Sequence, residues 1–277
     1  MTEIRFIHIS DLHIDTVDST TPNAEATANT LASIRAQIER LQPAPAFVIA
    51  SGDLANHGNV DAYRRLRHLM EGFPIPVIWA LGNHDNRVNY WAGMHDQEDQ
   101  GLVDHATIIQ GVHIITLDTS RYGQIGGTLD DTQIAFLDSA LSAHPDLPKI
   151  VVMHHPILVE GVDHNEWHGL DHAASARLAQ ILPNRGVQGV FSGHIHLDRF
   201  STWHGVPIIV SMGLQNSSDP LYVGDGVRSL QGASMSICTL RESGLTVTTV
   251  PQPTTRQVER EITAAQLAAY VAALNAK

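Results

Sequence analysis

The chain has 277 residues, 43% of them apolar, enough for a sizeable core, and no run approaches the ~20 apolar residues of a membrane span. Its formal net charge is -12, from 17 Lys and Arg against 29 Asp and Glu with no basic run, which disfavours a nucleic-acid polymer or an anionic membrane surface as the natural partner. Cys238 is the only cysteine, so an intrachain disulfide and a cysteine-rich zinc site are excluded, and any metal must be held by His, Asp, Asn or Glu, of which His is unusually frequent at 17.

In chain order, Ile4 to Ile9 reads as a strand entered at once, without the apolar core and cleavage site of a signal peptide, so a cytoplasmic protein is expected. A helix follows, capped by Thr21 with Pro22 in its first turn and carrying the stripe Leu31, Ile34, Ile38 and Leu41. Phe47 to Ser51 predicts a second strand, Tyr63, Leu66 and Met70 a second helix, and the run from Pro76 to Leu81 a strand buried on both faces. Asp104 to Leu117 reads as two short strands joined at Gln110 and Gly111. A Gly-rich loop, Tyr122 to Gly127, leads to a helix with the stripe Ile134, Leu137 and Leu141. Lys149 to Met153 and Val187 to Ser192 are further strands, separated by a polar loop from Glu160 to His172 and a helix near Ala173 to Leu182; the stretches VPIIVS, SMSICTL and LTVTTV make the C-terminal third strand-rich.

Strands alternating with helices and then grouping together predict an α/β fold of four layers, an α/β/β/α sandwich of two packed mixed sheets. Residues 1–250 form this domain. Residues 251–277 comprise a linker, PQPTTR, and a helix opened by a capping box at Thr263 and Gln266, whose stripe Leu267, Tyr270, Val271 and Leu274 packs on its own domain or on a second copy in a homo-oligomer.

Five of the strands run directly into ligand-type residues: Asp11 and His13, then Gly52 and Asp53, then Gly82, Asn83, His84 and Asp85, then His154 and His155, and finally Gly193, His194 and His196. A lone His or Asp after a strand is more often a cap or turn residue. Five at one predicted sheet edge, where α/β folds place their chemistry, converge on one site.

The blocks DLH, GD, GNHD, HHP and GHIH, in this order, resemble those of the calcineurin-like metallophosphoesterases, and the intervening stretches resemble class III cyclic-nucleotide phosphodiesterases and bacterial glycerophosphodiesterases, over residues 4 to about 211. The resemblance implies two metal ions, one held by Asp11, His13, Asp53 and His196, the other by Asp53, Asn83, His154 and His194, with Asp53 bridging through its two oxygens. Without thiolate this donor set suits iron or manganese, with zinc or cobalt as alternatives. It also implies a metal-dependent phosphoric diester hydrolase acting on a small phosphodiester, such as cAMP or a glycerophosphodiester, by in-line attack of metal-bound hydroxide. His84 would assist the leaving group.

Asn56 stands where the phosphoprotein phosphatases of this superfamily carry aspartate; its amide would orient His84 without adding charge, which favours diesters. Arg121, Asn165, Trp167 and His168 are candidate substrate contacts, each with a plain alternative as a solvated loop residue. His8 reads as structural. The alternatives are a phosphomonoesterase and a non-catalytic interaction module on the same fold; the latter would have lost ligands, yet all seven positions hold competent side chains. A nuclease is disfavoured by the acidic balance.

Overall fold

The computed structural model describes residues 3–21, 24–121, 123–159, 169–223, 227–253, 263, 265 and 266. The first sheet takes β1 (Ile4–Ile9), β2 (Val48–Ala50) and β3 (Val77–Trp79) in parallel and adds the antiparallel hairpin β12 (Ala233–Arg241) and β13 (Gly244–Gln252), in the order β13-β12-β1-β2-β3. The second takes β4 (His105–Ile109), β5 (Val112–Leu117), β6 (Lys149–Met153), β7 (Val187–Ser192), β8 (Arg199–Trp203) and β9 (Val206–Val210) in the order β4-β5-β6-β7-β9-β8, with β4 and β8 antiparallel at its edges. A small hairpin, β10 (Ser217–Ser218) with β11 (Ser229–Leu230), stands apart.

Side chains alternate across a strand, and the alternation here sorts the core into three slabs. Phe6, Phe47, Ile49 and Ile78 of the first sheet meet Ile114, Ile150, Val152 and Phe191 of the second, with Phe6 stacked on Phe47 at 4.8 Å between centroids. The opposite face of the first sheet, Ile7, Ile9, Val48 and Ala50, packs on α1 (Ala24–Glu39) through Leu31, Ile34 and Ile38, and on α2 (Val60–Leu69) and α3 (Arg87–His95) through Tyr63, Leu66 and Tyr90. The outer face of the second, Ile115, Val151, Met153 and Val190, packs on α4 (Asp131–Ala143) and α5 (His172–Ile181) through Leu137, Leu141 and Leu178. The result is the expected four-layer sandwich.

Several local expectations change. β3 is the edge of its sheet, so Val77 and Trp79 are only half-buried and Ile78 alone is covered. The five ligand-bearing strands belong to two sheets: β1, β2 and β3 to one, β6 and β7 to the other. Pro251 and Gln252, expected in a linker, complete β13 and pair with Ser234 and Ala233. The helix α3 and the strands β8, β10 and β11 add to the expected set. Thr263 and Gln266 do exchange capping-box bonds, at 2.9 and 3.2 Å. The stripe beyond them and Pro22 lie outside the described residues.

Candidate metal centre

The five loops leave their strands at one end of the seam between the sheets. Their backbones interlock: Asp11 N–H donates to Gly52 O (3.0 Å), His13 N–H to Asp53 O (2.8 Å) and Gly193 N–H to His154 O (3.0 Å). Asp11, His13, Asp53, His194 and His196 all take positive φ, between 42° and 75°, a region that non-glycine residues seldom adopt and that clusters at functional sites. Gly82 is required by crowding: a Cβ there would overlap Asp53 Oδ1 and His154 Cδ2. Gly82 thus marks the close approach of its loop to those that carry Asp53 and His154.

All seven sequence-predicted metal donors come together. Asp53 Oδ2 lies 3.6 Å from His13 Nε2 and 3.3 Å from His154 Nε2. His196 Nε2 is 3.4 Å from Asp11 Oδ1 and 3.3 Å from His13 Nε2, and His194 Nδ1 is 2.9 Å from Asn83 Oδ1. Asp53 therefore stands between the two donor sets with a single oxygen, Oδ2. Its Oδ1 accepts from the backbone N–H of His84 at 2.9 Å.

Backbone carbonyls set the histidine tautomers, as is usual for metal-binding imidazoles. His154 Nδ1–H donates to Ser51 O (2.9 Å) and His196 Nδ1–H to Asn216 O (3.1 Å), so each presents Nε2. The buried His154 Nε2 makes no directed hydrogen bond although Asp53 Oδ2 is close by. A lone pair facing a carboxylate requires positive charge between them. A proton can supply it: burial opposes the charged ring, but Asp53 outweighs burial and pushes His154 up to about 9. Burial likewise penalises ionised Asp53, and His154 overrides it to hold the carboxylate well below the usual range. A divalent cation does the same work and displaces that proton. The residues present therefore fit metal.

His155 also lies near this cluster, but both its nitrogens are occupied, Nδ1 by Thr119 Oγ1 (2.8 Å) and Nε2 by Ile125 O (2.9 Å). Burial and its neighbours His194 and His154 push it well below the ordinary value. It is a neutral structural residue. His8, between the sheets, bonds Ser51 Oγ at 2.8 Å, and burial pushes it down to about 3, in keeping with the structural reading.

His84 is exposed and lines a cavity of about 390 Å³ together with Asp53, Asn83, His194 and His196. Its Nδ1–H donates to the backbone oxygen of Asn56 at 2.8 Å. The Asn56 side chain does not orient it; that amide turns to Asp15 Oδ2 and His57 Nε2, both at 3.1 Å. The expected role of the Asn56 amide thus passes to its carbonyl. Arg121 is exposed and is not among the described residues lining the cavity. Arg199, three residues past His196, does line it. Asn165, Trp167 and His168 lie outside the described residues.

Asp85, the last residue of the GNHD block, ties the second and third loops together. Its Oδ2 accepts from Leu54 N (3.0 Å) and Gly82 N (2.9 Å), its Oδ1 from Ala55 N (3.0 Å) and Tyr63 Oη (2.8 Å). Burial, then Asp53, raises it to about 6. Asparagine in either orientation would turn its NH₂ toward two donors. Asp85→Asn is therefore expected to destabilise the metal-free protein by about 2–4 kcal/mol, the scale of two lost charge-assisted bonds. Denaturant unfolding checks it, and an unchanged midpoint would contradict this reading of the four contacts.

A four-layer sandwich that gathers histidine, aspartate and asparagine side chains at the seam of its sheets defines a scaffold with a candidate metal centre. The chain belongs to the calcineurin-like phosphoesterases, whose family model matches residues 4–198. It is 28% identical over 232 residues to a cAMP/cGMP dual specificity phosphodiesterase of Mycobacterium tuberculosis, covering 82% of this chain and 72% of that protein. It is 24% identical over 209 residues to a protein of Arcobacter nitrofigilis named "Probable glycerophosphodiester phosphodiesterase", covering 74% of this chain and 76% of that one. Among solved structures, a dimetal phosphatase from Danio rerio superposes with a TM-score of 0.65 at 13% identity, over 90% of this chain and 98% of that one, which supports the fold. Among the described residues, no helix is long and apolar enough to cross a membrane.

Proposed function

We propose that the protein is a two-cation phosphodiesterase acting on a small phosphodiester. The observation that carries this reading is Asp53 Oδ2 standing between His13 and His154, at 3.6 and 3.3 Å, where one oxygen serves two donor sets. Asp11, His13 and His196 complete one set; Asn83, His154 and His194 complete the other. When bound, the cations polarise the phosphate and generate a nucleophile at neutral pH. Iron and manganese suit the donors best, followed by zinc and cobalt.

The chain's own residues do the rest. Two divalent ions outweigh the carboxylates Asp11 and Asp53, so the centre attracts a phosphodiester monoanion into an otherwise acidic protein. Neutral Asn83 preserves that excess. With Nδ1–H committed to the Asn56 carbonyl, His84 offers Nε2 to the cavity. There it can hold a proton against a phosphate oxygen and pass it to the departing alkoxide. Asn56 itself brings no charge to His84, where an aspartate would, which favours a diester over a phosphoprotein.

The test is turnover of a model diester, a model monoester and cyclic AMP by manganese-reconstituted protein. Diester hydrolysis is expected to exceed monoester hydrolysis and to vanish with chelator. Equal or greater monoester turnover would remove the diesterase assignment.

A further inference from the structure

The cavity has a second wall that the metal chemistry does not use. It is built by the hairpin β10–β11, whose base is bonded to the ligand loop: Ser218 N–H donates to His196 O (2.8 Å), Ser218 Oγ to Ile195 O (2.9 Å), and Asn216 O accepts from His196. Above the base, Asp219 N–H donates to Arg228 O (2.8 Å) and Arg228 Nε–H to Asp219 Oδ2 (2.6 Å). Arg228 lies over the ring of Tyr222, 5.1 Å from its centroid, and so props the aromatic side chain in place. Tyr222 and Val227 line the cavity and are 40% and 57% exposed; Ile125, at 59%, and Leu197 line it with them.

Ordered apolar side chains left open to water beside a metal centre are the usual lining of a ligand pocket, with a few polar groups to fix orientation. Asn216, Ser218 and Ser229 supply such groups in the same cavity. A glycerol or ethanolamine ester, hydroxylated or charged, would leave Tyr222 and Val227 wet. A flat heteroaromatic ring would cover them and present its polar edge to the amide and hydroxyls. At about 390 Å³ the cavity is near the small end of the ~300–1,000 Å³ typical of ligand pockets, the scale of a single small ligand.

We propose that Tyr222 and Val227, which line the cavity together with the candidate metal donors, are the specificity-determining residues of this site and bind the nucleobase of a nucleotide ester. The proposal rests on the phosphodiesterase reading and selects the ring-bearing class of diester within it.

The experiment measures binding as well as turnover. Affinities of manganese-loaded protein for 5′-AMP and for inorganic phosphate are determined by calorimetry for wild type, Tyr222→Ala and Tyr222→Phe, with metal content measured for each. Tyr222→Ala is expected to weaken AMP binding about tenfold while moving phosphate affinity by no more than about twofold, and Tyr222→Phe to restore the AMP affinity. Equal weakening of both ligands, loss of metal, or no change for AMP would overturn the proposal, the first two because the hairpin would then act through His196. Turnover of cyclic AMP against glycerophosphoethanolamine separates the two readings. Absent diester turnover with the AMP pattern intact removes the diesterase and keeps the subsite; diester turnover without the AMP pattern does the reverse.

Discussion

Asp53→Asn is expected to empty the candidate centre of at least one of the two cations proposed for it and to lower diester turnover by about 10⁴ or more, the scale of losing several kcal/mol of transition-state charge stabilisation. The direction follows from the backbone. His84 N–H donates to Asp53 Oδ1 at 2.9 Å and needs an acceptor there, so the amide of an asparagine would keep its oxygen on that side. Its NH₂ would then take the place of Oδ2, between His13 and His154. An oxygen placed to hold a cation on either side would become a donor that repels it. Metal analysis of the purified variant checks the first half. Thermal unfolding with and without manganese checks it independently: at metal concentrations about a hundredfold above Kd, wild type should gain roughly 5–10 °C, and the variant little of it. A variant that retains two equivalents of metal would show that Asp53 does not bridge.

His84→Ala should behave differently. The bond from residue 84 to Asp53 comes from the backbone and survives the substitution, so both metals should remain. What is lost is Nε2 at the cavity, and turnover is expected to fall by about 10² to 10⁴, the usual range for a general acid or base. The loss should be large for an alkoxide leaving group such as glycerol or ribose and small for nitrophenolate, which departs without a proton. A leaving-group series with parallel metal analysis tests both halves. Loss of a metal would make His84 a ligand; a uniform loss across the series would make it a phosphate-positioning group.

The parts of this molecule legible in the sequence are those that depend on side-chain identity. β1, β6 and β7 have the predicted bounds because their runs are apolar and end in abrupt polar blocks. The side chains of the candidate metal centre are legible for the same reason, since Asp, His and Asn in those blocks have few other uses together. β3 misleads because the run from Pro76 to Leu81 looks the same whether a second strand or only a helix and loop cover its outer side. β10 and β11 are two residues each, too short for any period, and α3 opens at an Asn86 cap but carries no clean stripe.

What orients the site was not legible at all. The carbonyls of Ser51, Asn56 and Asn216 select the ring nitrogens of His154, His84 and His196, and any residue there offers the same carbonyl. The Asn56 side chain therefore carried no information about His84. Arg121 stood in a suggestive loop, whereas Arg199 reaches the cavity from the start of β8, an edge strand that alternates weakly between half-buried and exposed residues.

The position of β1 has a consequence for synthesis on the ribosome. This strand delivers Asp11 and His13, yet one of its two neighbours is β12, with Ile4 opposite Leu240. Asp11, His13, Asp53 and Asn83 emerge early, but the other three donors follow only by residue 196, and β1 stays bare along one side until β12 is made. Contacts that span nearly the whole chain close late and slowly. Until residue 196 the nascent protein thus carries a half-built cluster of carboxylates and imidazoles, and until β12 is made it carries an open strand edge. The first sheet is complete only once the β12–β13 hairpin docks and seals that edge.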